Sequence, residues 1–62
     1  MFSENLKFLR KASRMTQQQL ADKLNVTRTT INDWETGKAE CDLKSLRKLR
    51  ELFKVVYEDL LD

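Results

Sequence analysis

Residues 16–38, TQQQLADKLNVTRTTINDWETGK, decide the fold of this 62-residue chain. Thr16 is followed three residues later by Gln19, which is the spacing of a capping box, where each side chain satisfies a free amide at the start of a helix. Asn25 belongs to the few residue types that adopt the left-handed conformation in which helices end. These signals predict a helix over about 17–24.

A second helix is predicted over about 28–36. Thr27 is its N-cap candidate, and Gly37 ends it because glycine takes the left-handed conformation without strain. The two helices are then joined by a turn of about three residues, Asn25 to Thr27. Two short helices joined in this way form a helix-turn-helix unit, here over about 16–38.

The second of these helices has two chemically different faces, because residues three or four apart share a face. Its inner face carries Ile31, Trp34 and Glu35. Its outer face carries Arg28, Thr29, Asn32 and Asp33. The first helix of the pair has an inner face of Leu20, Ala21 and Leu24, and the small Ala21 allows the two helices to approach closely.

The flanking segments also have helical periodicity. The first, with Ser3 as its predicted N-cap, has an apolar stripe of Phe2, Leu6, Leu9 and possibly Ala12, and Arg10 lies on this stripe. Residues 43–53 predict a fourth helix, with Leu46, Leu49 and Phe53 inside, and residues 57–61 a fifth, with Leu60 and Leu61 in the core. The prediction is one all-α domain over residues 1–62, a compact five-helix bundle.

Composition excludes several classes of protein. Cys41 is the only cysteine and there is no histidine, so neither an intrachain disulfide nor a usual zinc site can form. No apolar run approaches the length of a membrane helix, and the N-terminus does not resemble a signal peptide. We expect a cytoplasmic protein, because nothing indicates a secreted disulfide scaffold. We also expect no metal, no cofactor and no small-molecule substrate. An enzyme is not expected, because a core this small does not enclose a substrate pocket of a few hundred Å³.

The net charge of +2 says little by itself, but the charge is unevenly distributed. Residues 1–38 carry a formal charge of +3 and residues 39–62 one of −1. The basic half holds the helix pair, which is compatible with binding to nucleic acid and also with an ordinary solvated surface.

The apolar and polar positions of residues 16–38 together resemble the Cro/C1-type helix-turn-helix domain of phage repressors and bacterial regulators. The matching residues are Thr16, Gln17, Leu20, Ala21, Leu24, Val26, Thr27, Ile31, Trp34, Glu35, Gly37 and Lys38. The resemblance extends over nearly the whole chain and implies a lambda-repressor-like bundle that binds double-stranded DNA.

The resemblance also implies roles for single residues. It places Gln17 on a DNA phosphate, Thr27 and Lys38 close to the DNA backbone, and Arg10 with Glu35 in a buried ion pair. It places Arg28, Thr29 and Asp33 against the edges of DNA bases. Asn32 lies on the same outer face of the helix. Chemistry supports further contacts: Arg28 can bind guanine, Asn32 can bind adenine, and Gln18 and Thr30 can bind phosphate.

The sequence departs from the family pattern at several positions. Glu40 and Asp42 stand where relatives often have basic residues, Arg50 where a small alanine is usual, and Val56 where a capping serine or threonine is usual. An apolar Val56 beside Tyr57 has no capping role. Because the C-terminal helices of the phage repressors carry dimer contacts, the resemblance leads us to predict a dimer interface at Val55, Val56 and Tyr57.

Two functions fit these observations. The first is a transcriptional regulator, expected to be a repressor, that binds a palindromic operator through the major groove as a homodimer, at least on DNA. The second is a protein-interaction module with weak DNA affinity, which the acids at 33, 40 and 42 support. The chain is compatible with a complete short regulator and with part of a longer one.

Overall fold

The computed structural model describes residues 1–62 and consists of five α-helices with no strand. The helices are α1 (Phe2–Ala12), α2 (Gln17–Leu24), α3 (Arg28–Thr36), α4 (Leu43–Phe53) and α5 (Tyr57–Leu61). The predicted bounds of α2 to α5 are confirmed. Helix α3 packs against α1 and α2, while α5 packs against α1 and α4 against α2.

The ends of α2 and α3 follow the chemistry of their capping residues. The Thr16 hydroxyl accepts a hydrogen bond from the Gln19 amide at 3.0 Å, and the Gln19 side chain accepts one from the Thr16 amide at 2.8 Å. Asn25 ends α2 with φ 59°, and Gly37 ends α3 with φ 78°. The predicted capping box and both helix ends are therefore confirmed.

Helix α1 differs from its prediction at both ends. Ser3 is not the N-cap, because the helix already begins at Phe2 and Met1 occupies the capping position without a side-chain bond. Ala12 is exposed and does not belong to the apolar stripe. Six residues after Leu6, at 3.6 residues per turn, its side chain points well away from the buried face.

The core is formed by eight buried hydrophobic side chains contributed by all five helices, namely Leu6, Leu20, Ala21, Leu24, Ile31, Trp34, Leu49 and Leu60. Leu46 and Phe53 pack against this core and are partly buried. The prediction for Leu61 is wrong, because this side chain is 50% exposed. Adjacent residues of a helix point about 100° apart, so the short α5 buries Leu60 and turns its neighbour outward.

None of the five helices is long and apolar enough to cross a membrane.

Candidate nucleic-acid interface

The outer face of α3 stands clear of the core. Arg28, Thr29 and Asn32 are exposed, and Asp33 is partly buried. We call these four residues the reading face. On the opposite side Ile31 is fully buried, and Trp34 and Glu35 are nearly so. Their burial fixes the orientation of α3 about its own axis. The two faces predicted from the sequence are thus present as expected.

A buried ion pair holds α3 against α1. The Nε of Arg10 donates to Oε2 of Glu35 at 2.6 Å, and its Nη2 donates to Oε1 at 3.1 Å. The third donor, Nη1, bonds the carbonyl of Met15 at 2.8 Å. The exposed fraction is 10% for the Arg10 side chain and 2% for that of Glu35. The predicted pair therefore forms, with the paired geometry that makes Arg–carboxylate contacts strong.

Gln17 links this ion pair to the reading face. Its Nε2 donates to Oε1 of Glu35 and to Oδ1 of Asn32, both at 3.2 Å. Its Oε1 accepts a longer bond of 3.4 Å from Nη1 of Arg28. Both amide hydrogens of the Gln17 side chain are thus already engaged. The sequence indicated a phosphate contact for Gln17 but gave no sign of its bonds to α3.

The start of α2 offers unused amides for an anion. The capping box satisfies the Thr16 and Gln19 amides, which leaves those of Gln17 and Gln18 without an intrahelical partner. Such amides, together with the partial positive charge of a helix start, favour a phosphate. The Gln18 side chain donates to Oδ1 of Asp22 at 2.9 Å on the exposed side of the same helix.

Thr27 caps the start of α3, and its hydroxyl contacts Thr30. The Thr27 hydroxyl accepts from the Thr30 amide at 3.2 Å and lies 2.9 Å from the Thr30 hydroxyl. Lys38 follows the end of α3, where its amide donates to the Asp33 carbonyl at 2.9 Å and its side chain is exposed. The residues predicted to bind phosphate therefore lie at the start of α2, at the start of α3 and just after the end of α3.

The basic side chains of this region are not neutralised within the chain. Arg10 and Glu35 form the only ion pair in the structure. Arg28 and Lys38 thus have no carboxylate within 4 Å, and their charges are available to a polyanion.

The predicted dimer interface lies at the start of α5. Val56 is 56% exposed, whereas Val55 is partly buried and packs against the core. The guanidinium of Arg50 lies 5.1 Å from the centre of the Tyr57 ring, within the range of a cation–π contact. The Nε of Arg50 is buried without a hydrogen-bond partner. Val56 caps α5 without a side-chain bond, as its residue type implies.

An open groove of about 410 Å³, lined mainly by hydrophobic residues, lies between the start of α1 and the connection from α3 to α4. Because this groove is open to solvent, it does not test the expectation that the core is too small to enclose a substrate pocket of a few hundred Å³. Cys41 lines the groove, and burial, followed by the charge of Asp42, raises the pKa of this thiol to about 12. No group of residues is arranged to hold a metal ion.

Known transcriptional regulators are similar to this chain in sequence. The chain is 42% identical over 60 residues to the HTH-type transcriptional activator BcrR of Enterococcus faecalis, covering 97% of this chain and 29% of that protein. It is 44% identical over 61 residues to the HTH-type transcriptional regulator YqaE of Bacillus subtilis strain 168, covering 98% and 53%. The chain therefore spans about half or less of the length of these relatives.

Two solved structures share the fold. The restriction-modification controller protein C.AhdI from Aeromonas hydrophila has a TM-score of 0.86 at 25% identity, over 97% of this chain and 91% of that one. The FeII protein HppE, solved with its substrate, has a TM-score of 0.85 at 30% identity, but this chain covers only 34% of it. The likeness to HppE is thus confined to a part of that chain.

The family model for helix-turn-helix proteins matches residues 6–61, which include α2, α3 and the ion pair between α1 and α3. This chain belongs to the Cro/C1-type helix-turn-helix family of DNA-binding transcriptional regulators.

Proposed function

We propose that this protein binds a near-palindromic operator as a homodimer and represses transcription by occupying it. The observation that carries the proposal is the exposed reading face, with Arg28 free of any carboxylate and bonded to Gln17. The major groove of B-DNA, about 12 Å wide, accommodates one α-helix. Helix α3 is the element of this fold that presents such a face.

The proposed base contacts are made by the reading face, Arg28, Thr29, Asn32 and Asp33. Arg28 binds guanine at O6 and N7, and a contact of this kind contributes about 1–3 kcal/mol of discrimination between bases. Thr29 contacts a thymine methyl group or a phosphate. Asp33 accepts from the N4 amino group of cytosine and disfavours other bases.

The proposed phosphate contacts surround the reading face. Gln17 contributes its backbone amide, since its side-chain hydrogens are engaged within the protein. The remaining contacts come from Gln18, Thr27, Thr30 and Lys38. These contacts fix the position of α3 on the duplex and carry no sequence information themselves.

Dimerisation is proposed to occur through Val55, Val56 and Tyr57, of which Val56 is exposed and the other two are partly buried. A two-fold dimer would place two copies of α3 in successive major grooves about 34 Å apart, which is why the operator is expected to be palindromic. In support, Val56 is exposed at the start of α5 without a capping role. Sedimentation with and without operator tests this, and a monomer under both conditions at high concentration would contradict it.

Activation of transcription is the alternative to repression. The relative from Enterococcus faecalis is named an activator, and a protein that binds the same kind of site beside a promoter can recruit polymerase instead of blocking it. Transcription of a reporter from a promoter that carries the selected operator distinguishes the two, because repression lowers its output and activation raises it. We propose that the protein acts in the cytoplasm, where its operator would be found.

Selection from a random DNA library at two salt concentrations tests the proposal. Enrichment of a short palindrome is expected, and Arg28→Ala is expected to lose the preference at one symmetric position. Affinity should fall steeply with salt, because each neutralised phosphate releases counterions. Weak binding without enrichment would contradict sequence-specific recognition and would favour a protein-interaction module.

A further inference from the structure

Five polar side chains, from the reading face to the buried ion pair, form one hydrogen-bonded network. Arg28 donates to Oε1 of Gln17, and Nε2 of Gln17 donates to both Asn32 and Glu35. Glu35 also accepts from Arg10. We call these contacts the Gln17 network.

The donors and acceptors of the Gln17 network are fixed by the two charged partners of Gln17, which are Arg28 and Glu35. An arginine side chain can only donate, and an ionised carboxylate can only accept. The Gln17 oxygen must therefore face Arg28, and its nitrogen must face Glu35. The same nitrogen contacts Asn32, so Asn32 must present its oxygen to Gln17.

The inner end of the Gln17 network has little freedom to rearrange. The Glu35 carboxylate is 98% buried and is held by two bonds from Arg10. Asn32, on the outer side of the network, is exposed on the reading face. One lone pair of its oxygen is thus taken by Gln17 and this oxygen is turned toward α2, whereas both hydrogens of its amide nitrogen are free.

We propose that Asn32 recognises its base as a hydrogen-bond donor and selects guanine, an inference that rests on the DNA-binding function proposed above. The usual asparagine–adenine pair requires the side-chain oxygen to accept from N6 while the nitrogen donates to N7. Guanine offers only acceptors, N7 and O6, on its major-groove edge. This assignment replaces the adenine contact that residue type alone suggested for Asn32.

The test selects operators from a random library in parallel with the wild-type chain, Asn32→Ala and Asn32→Asp. Aspartate is the informative variant, because it keeps an oxygen for Gln17 and replaces the outward amino group by an acceptor. We expect guanine at one symmetric position for the wild type, no preference there for Asn32→Ala, and cytosine for Asn32→Asp. Thermal melting of each variant verifies that it is folded.

A second pair of variants tests whether Gln17 sets this orientation. Gln17→Met releases Asn32, and we expect the strict guanine preference to become a mixture of guanine and adenine. Gln18→Met is the matched control, because a lost phosphate contact weakens binding to all sequences about equally and leaves the guanine preference in place.

The outcomes separate the two proposals. A palindrome that depends on Arg28 but has adenine at the Asn32-dependent position would overturn the donor assignment alone. The same holds if no position depends on Asn32, or if Gln17→Met retains strict guanine. Failure of the wild-type protein to enrich any palindrome would overturn the DNA-binding proposal, and the assignment with it.

Discussion

Replacing Arg10 by methionine is the most informative perturbation of the fold. Methionine keeps most of the length and apolar character of the side chain, but it removes the two bonds to Glu35 and the bond to the Met15 carbonyl. The Glu35 carboxylate then remains buried with Gln17 as its remaining donor. The variant thus isolates the effect of leaving this charge without its cation.

The expected loss is large relative to the stability of the domain. Removing one partner of a buried ion pair typically costs about 3–5 kcal/mol, because the other charge is left uncompensated. A domain of this length is expected to have a free energy of unfolding of roughly 3–9 kcal/mol, from typical per-residue values. Arg10→Met should therefore lose roughly a third or more of the stability.

Urea unfolding, followed through the fluorescence of Trp34 and through far-UV circular dichroism, measures this loss. Trp34 is the only tryptophan and is 4% exposed, so its emission reports on the core. The control is the double variant Arg10→Met with Glu35→Leu, which removes both charges and should recover most of the lost stability. A loss below about 1 kcal/mol for Arg10→Met, as for exposed pairs, would refute the reasoning.

Three further predictions concern single positions. Thr16→Ala should lower the free energy of unfolding by about 1 kcal/mol, since it removes the hydroxyl that accepts from the Gln19 amide. Urea unfolding measures this loss, and an unchanged midpoint would contradict it. Lys54→Gly should raise the free energy of unfolding by about 1 kcal/mol, because Lys54 is exposed with φ 56°, where glycine is unstrained. Thermal melting measures this gain. A lower melting temperature would show that the lysine side chain stabilises the fold by more than its backbone strain costs. Cys41 should react with iodoacetamide at pH 8 roughly ten-fold or more slowly in the folded than in the unfolded chain, since the thiolate reacts and its pKa is raised to about 12. Equal rates in the two states would contradict the burial of this thiol.

Local signals in the sequence were sufficient to predict most of the fold. Capping and helix-ending residues such as Thr16, Asn25 and Gly37 act within a few positions of themselves, so their effects can be inferred without tertiary contacts. The errors occurred where such signals are weak. Ser3 could cap a helix by residue type, yet the observed cap is Met1, two residues earlier. Leu61 could be buried by polarity, yet α5 buries its neighbour Leu60.

The candidate site was predictable in its residues but not in its bonds. Spacing placed Asn32 on the outer face of α3 and Glu35 on the inner face. The bonds from Gln17 to both depend on how α2 crosses α3, which no local pattern specifies. Likewise, the sequence marked Arg50 as unusual, but its contact with the Tyr57 ring follows from the packing of α4 and α5.

The central claim, that the outer face of α3 reads DNA sequence, is tested most directly by comparing affinities for the selected operator and a scrambled duplex. The measurement is fluorescence anisotropy at one fixed salt concentration with the wild type, Arg28→Ala and Lys7→Ala. Lys7 is exposed on α1, outside the proposed interface, so it controls for the loss of one positive charge. We predict that Arg28→Ala lowers the preference for the operator by roughly ten-fold or more, while Lys7→Ala leaves it unchanged. An equal effect of the two substitutions, or an undiminished preference in Arg28→Ala, would contradict the claim.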